Sequence, residues 1–88
     1  PTKLIEGGIS NQTHQVMKNL ELVLDAAKSS FDNVVFARIY LLNFQDFDAM
    51  NAIYESYFMP DKLPARTCIG VTGLAVGASV EIDLIAKL

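Results

Sequence analysis

Two short stretches carry residue types that could do chemistry. Pro64-Ala65-Arg66-Thr67-Cys68 sets a guanidinium two residues from a thiol, and Val80-Glu81-Ile82-Asp83 sets two carboxylates two residues apart. On an extended strand, residues i and i+2 project from one face. Arg66 therefore shares a face with Cys68, and Glu81 with Asp83. Arginine offers a rigid planar fork that binds a carboxylate through two parallel hydrogen bonds. A carboxylate nearby can orient or deprotonate a water. If the two strands pair through the Gly73–Gly77 turn, Arg66 and Glu81 meet on the sheet face away from Val80 and Ile82. That pair would suit hydrolysis of a small amino or imino acid. Spacing alone nevertheless leaves an ordinary Arg–carboxylate pair at a subunit interface ahead, because structural ion pairs cluster in the same way.

These residues need strands and helices to hold them. Val16, Leu20, Val23, Leu24 and Ala27 recur at helical spacing, widened by Met17, and predict a first helix over Ser10 to Ala27 with Ser10 or Asn11 as its cap. Pro1 to Gly8 reads as a turn or loop. Val34 to Leu42 is β-branched and aromatic, a strand with two largely apolar faces: Val35, Ala37, Ile39 and Leu41 on one, Val34, Phe36, Arg38, Tyr40 and Leu42 on the other. Asp46 is a candidate cap for a second helix, Phe47 to Phe58, with Phe47, Met50, Ala52, Ile53, Tyr54 and Tyr57 facing inward. Pro60 stops it, because the residue before a proline is pushed away from helical geometry. Ala65 to Thr72 and the alternating Ser79 to Ala86 complete the set as strands, Val80, Ile82, Leu84 and Ala86 sharing a face. Helix, strand, helix, strand, strand is an α+β layer. Two helices cover one sheet face, and the other apolar face calls for a sheet from a second copy.

Other chemically capable side chains take plainer readings. Cys68 lacks an obvious base and reads as a reactive or oxidisable cleft thiol rather than a catalytic nucleophile. His14, without a second ligand at i+4, reads as a solvated surface histidine and not a metal ligand. Asp83 reads as charge balance for Arg66 or Lys87. Tyr54, Tyr57 and Phe58 read as helix packing, and Met50 and Met59 as core and helix-end contacts. Arg38 reads as a snorkelling arginine, or more sharply as an interface pair or second anion contact.

Composition bounds the rest. The chain has 88 residues, one domain's worth, and is 51% hydrophobic, rich for a domain too small to bury most of its surface. The net charge of −3 and the lack of any Lys/Arg run argue against nucleic acid. One cysteine precludes an internal disulfide and fits a cytoplasmic setting, with a mitochondrial one as the alternative. The charge-free stretch Thr67 to Val80 is too short for a membrane helix.

The Pro-Ala-Arg-x-Cys motif at 64–68, followed by Val-Glu-Ile-Asp at 80–83, is similar to the C-terminal signature of the Rid (reactive intermediate deaminase, YjgF-like) family. Phe47-Asp48-Ala49-Met50-Asn51-Ala52-Ile53-Tyr54 resembles the family's second helix. The first helix, from Gln12-Thr13-His14-Gln15 to Leu24-Asp25-Ala26-Ala27, and Asn33-Val34-Val35 fit as well, so the likeness spans nearly the whole chain. It implies a chorismate-mutase-like fold and a homotrimer whose sheets face inward as a barrel, with sites in the clefts between subunits. It implies cofactor-free and metal-free hydrolysis of enamine/imine intermediates such as 2-aminoacrylate to 2-keto acids and ammonia. Arg66 would hold the substrate carboxylate, Glu81 would position the attacking water, and Cys68 and Asn51 would line the cleft. Family members usually carry about forty more N-terminal residues, supplying a β-hairpin, a site tyrosine and a Ser-Gly-Gln-like strand end. The chain is accordingly expected to be a fragment lacking that hairpin. Two other functions compete with deamination: a non-catalytic, small-carboxylate-binding regulatory trimer, and a ribonuclease, which the acidic balance disfavours.

Overall fold

The structure is a computed structural model and describes residues 8–88. The expected N-terminal loop therefore lies outside the described residues up to Gly7, while Gly8 already opens the first helix. Helix α1 runs Gly8–Ala26, strand β1 Val34–Leu41, helix α2 Phe47–Glu55, strand β2 Ala65–Gly70 and strand β3 Val80–Ala86. No helix among the described residues is long and apolar enough to cross a membrane.

The sheet order is β2-β1-β3, with β1 and β2 parallel and β1 and β3 antiparallel. This overturns the expected pairing of β2 with β3 through the Gly73–Gly77 turn. The chain leaves β2 at Val71, whose N–H donates to Leu41 O at 2.9 Å, and crosses the end of β1. It joins the far side where Leu42 N donates to Ser79 O at 3.0 Å. A parallel pair cannot be closed by a tight turn, so α2 serves as the crossover between β1 and β2. Within the connection Val76 takes a left-handed conformation (φ 50, ψ 28), uncommon for a β-branched residue, and is followed by Gly77 at φ 69.

The core lies between the helices and one sheet face. Ala37, Ile39 and Leu41 of β1, Met17 of α1 and Met50 of α2 are wholly buried, joined by Leu24, Tyr54, Phe58, Val80 and Ile82. Burying an Ile, Leu or Met side chain contributes about 1.5–3 kcal/mol each. A bulge between Val34 and Phe36 puts Val34 on this inner face too, against the expected alternation. The opposite face stays open, with Ile69 and Ile85 about half exposed and Thr67 exposed.

Local details shift the expected stripes. Helix α1 is centred on Thr13, Met17 and Leu24, while Val23 is 65% exposed and Ala27 lies beyond the helix end. Ser10 and Asn11 lie inside the helix rather than capping it. Thr13 is accommodated because its Oγ1 donates to Ile9 O at 2.7 Å. Helix α2 stops at Glu55, three residues short of expectation, and Ala52 points outward. Asp46 precedes α2 but makes no side-chain cap bond; Asn43 caps the turn before it, its Oδ1 accepting from Gln45 N at 3.0 Å.

Candidate active site

Arg66 and Cys68 stand on the inner face of β2, in register with Ala37 and Ile39 of β1. Pro64 launches this strand, holding Leu63 extended (φ −67, ψ 130) after the Pro60–Lys62 turn. β2 is an edge strand, and its Arg66 reaches across to α2. There Phe47, Asn51 and Tyr54 fall at i, i+4 and i+7, one stripe of the helix. The Arg66 Nη1 donates to Asn51 Oδ1. The guanidinium carbon lies 5.4 Å from the Phe47 ring centre and 5.2 Å from that of Tyr54, within the range of cation–π attraction. Among the described residues no carboxylate is within salt-bridge distance of Arg66. Within the described residues its charge is held by neutral groups.

The surroundings keep their protons. Burial pushes the Tyr54 phenol up to about 12, the nearby Arg66 charge offsetting only part of that. Tyr54 Oη is buried without a hydrogen-bond partner among the described residues. Burial likewise raises the Cys68 thiol, again partly offset by Arg66. The thiolate is the nucleophilic form, so this direction runs against a nucleophilic role for Cys68 and equally against the reactive thiol expected there.

Glu81 is elsewhere. It pairs in register with Tyr40, and Asp83 with Arg38, so both acids belong to the outer face of the sheet. The expectation that Arg66 and Glu81 share a face fails, because β1 separates their strands and the register puts them on opposite sides. The acid–base pair that does form is Arg38 Nε to Asp83 Oδ1 at 2.8 Å, half exposed in the middle of the open face. The expected ion pair thus exists, on the other arginine, and Asp83 balances Arg38 rather than Arg66 or Lys87. Glu81 is exposed and is the charged lining residue of a groove of about 320 Å³ between α1 and the start of β3. Val16, Leu20, Val23, Val76 and Ile82 form its apolar walls.

Of the sequence candidates, the structure brings together Arg66, Asn51 and Cys68 and leaves Glu81 apart. His14 is exposed as expected, yet its Nδ1 lies 3.0 Å from Tyr57 Oη and ties α1 to the segment after α2. Phe47 and Tyr54, read from the sequence as packing residues, turn out to flank Arg66. The signal for them was their helical spacing around Asn51.

Comparison with known proteins adds the following. The profile of the family described as Endoribonuclease L-PSP matches residues 1–88. The chain is 40% identical over 84 residues to Protein HMF1 of Saccharomyces cerevisiae, covering 96% of this chain and 64% of that protein. It is 39% identical over 84 residues to the 2-iminobutanoate/2-iminopropanoate deaminase of Rattus norvegicus, covering 96% and 61%. The chain thus spans less than two thirds of the length of these relatives. Among solved structures it is similar to YyfA of Yersinia pestis, a Rid-family protein of unknown function, with a TM-score of 0.94 at 38% identity over 98% of this chain and 68% of that one. The two helices on a three-stranded mixed sheet agree with the chorismate-mutase-like fold of these neighbours.

Proposed function

Because the chain belongs to the Endoribonuclease L-PSP family, in which the Rid proteins fall, we propose that it takes part in hydrolytic deamination of small 2-imino acids to 2-keto acids and ammonia. The observation that carries this reading is Arg66: an oriented guanidinium, bonded to an amide and two aromatic rings, with no carboxylate of its own among the described residues. An unneutralised, aimed guanidinium is a receptor for a carboxylate. A relative named as an iminobutanoate/iminopropanoate deaminase supports the choice of substrate class.

The chemistry needs little beyond positioning. An enamine tautomerises to its imine. Arg66 fixes the carboxylate and so fixes the adjacent imine carbon. Water adds to that carbon, one of its protons passing through a base to the imine nitrogen to give a carbinolamine. The hydroxyl of that intermediate then gives up its proton, again to the nitrogen, as the C–N bond breaks, leaving the 2-keto acid and ammonia. Holding reactants in place can supply several kcal/mol, of order 7 or more in favourable geometries. The base proposed is Glu81. Since Glu81 and Arg66 of one chain lie on opposite faces, the Glu81 that serves a given Arg66 would come from a neighbouring copy. The open face with Ile69, Ile85 and the Arg38–Asp83 pair is the surface for that assembly, a homotrimer in this reading.

The test couples an enzyme that generates 2-aminoacrylate to keto-acid detection. Arg66→Ala is expected to lower kcat/KM at least about a hundredfold, near 2.7 kcal/mol of transition-state stabilisation, with an unchanged far-UV spectrum. Wild-type acceleration by that variant would refute the assignment. A protein that binds pyruvate but gives no acceleration would instead be a carboxylate-binding regulator, a reading favoured by the separation of Arg66 from Glu81.

A further inference from the structure

We propose that α2 carries a charge-neutral clamp for Arg66, formed by Phe47, Asn51 and Tyr54, which aims the guanidinium without neutralising it. The proposal rests on the reading of Arg66 as a carboxylate anchor and adds three positioning residues to it.

The two sheet arginines make the contrast. Arg38 is satisfied by Asp83 at 2.8 Å. Arg66 has as its contacts an amide oxygen and two ring faces. Acids are available on the same helix, since Asp48 and Glu55 flank the stripe, but both are exposed and neither pairs with Arg66. A phenol could neutralise an arginine by ionising, and burial keeps that of Tyr54 protonated. Every described group touching the guanidinium therefore restrains it without cancelling its charge. Free arginine carries a large rotamer entropy that a ligand must remove on binding. Rings on the guanidinium and an acceptor on one of its nitrogens remove part of that cost beforehand. They leave the remaining donors of the fork for the ligand.

The arrangement also separates ring from hydroxyl. Among the described residues Tyr54 Oη has no partner, so the hydroxyl adds nothing to the clamp and its loss should not destabilise the fold. The ring face is the working part.

The experiment measures pyruvate affinity by calorimetry, imine-hydrolysis kinetics, and melting temperature for five variants. Asn51→Asp keeps the shape and supplies a resident carboxylate. It is expected to bind pyruvate at least thirtyfold more weakly while melting at the same temperature or higher. Phe47→Leu and Tyr54→Leu are expected to weaken binding roughly threefold to tenfold, the range of one lost cation–π contact, raising KM more than they lower kcat. Tyr54→Phe is expected to match the wild type in affinity and to be at least as stable. As a readout independent of activity, the Arg66 side-chain N–H resonances should carry a ring-current shift that Phe47→Leu reduces. Asn51→Asp binding within twofold of wild type, or Phe47→Leu leaving both affinity and resonance unchanged, would overturn the clamp. The fifth variant, Arg66→Ala, separates the two ideas. If it still binds pyruvate, the anchor itself fails. If it loses binding while Asn51→Asp does not, only the clamp fails.

Discussion

At the scale of single residues, the chain uses burial to keep groups neutral near one exposed-edge cation. Tyr54 is the clearest case and gives a pH prediction. Its folded value, about 12, is above the ordinary 10.0. Burial penalises only the ionised phenol, so titration of Tyr54 leaves stability unchanged below about pH 10, and stability falls as pH rises from there through about 12. Two units correspond to on the order of 2–3 kcal/mol. Urea titrations at pH 9 and pH 11.5 should show a larger loss of stability for the wild type than for Tyr54→Phe, which has no phenol to ionise. Equal losses would mean that Tyr54 is not desolvated as described. Arg66 was legible in the sequence as an arginine on a strand face, and the resemblance gave it a role. Its neutral surroundings were not legible, because they depend on which face of α2 meets an edge strand.

At the scale of elements, hydrogen-bonded partners and burial decide what each position is worth. Asn43 accepts a bond from Gln45 N, whereas Asp46, the position the sequence favoured as a cap, makes none. Asn43→Ala should therefore cost about 0.5–1 kcal/mol by urea denaturation and Asp46→Ala less than half of that. The same logic ranks α1: Met17→Ala, at a fully buried site, should cost about 2–5 kcal/mol, while Val23→Ala, mostly exposed, should stay within about 0.5 kcal/mol. Helical periodicity predicted α1 and most of its inner stripe, since Val16, Leu20 and Leu24 pack in or against the core, but Val23 is mostly exposed and walls the groove beside Glu81.

At the scale of the whole molecule, one sheet face is packed and one is open, and the two candidate catalytic side chains lie on different faces. A shared site between copies reconciles them and is directly testable. Light scattering should show a trimer at micromolar concentration, and Ile85→Glu, a charge placed on the open face, should shift it toward monomer. Co-refolding equal amounts of Arg66→Ala and Glu81→Gln chains should restore activity, to about a quarter of wild type if each site draws Arg66 from one copy and Glu81 from the next. No recovery in mixed assemblies, with both single variants inactive, would place the two residues in one chain's site and overturn the shared site; an active Glu81→Gln variant would show Glu81 to be idle.

The sequence by itself determined the elements and their order, since periodicity, β-branching and prolines act over a few residues and leave their mark locally. It also determined which residues could serve chemistry, because the Pro-Ala-Arg-Thr-Cys stretch and Asn51 carry the resemblance in consecutive or helically spaced positions. Only the tertiary structure decided that β3 crosses to the far side of β1. Strand order depends on where a connection runs in space, and the nine residues from Val71 to Ser79 could equally have been written for a hairpin. From that one decision follow the opposite faces of Arg66 and Glu81, the Arg38–Asp83 pair on the open face, and an edge position for β2 that leaves Arg66 against the neutral side chains of α2.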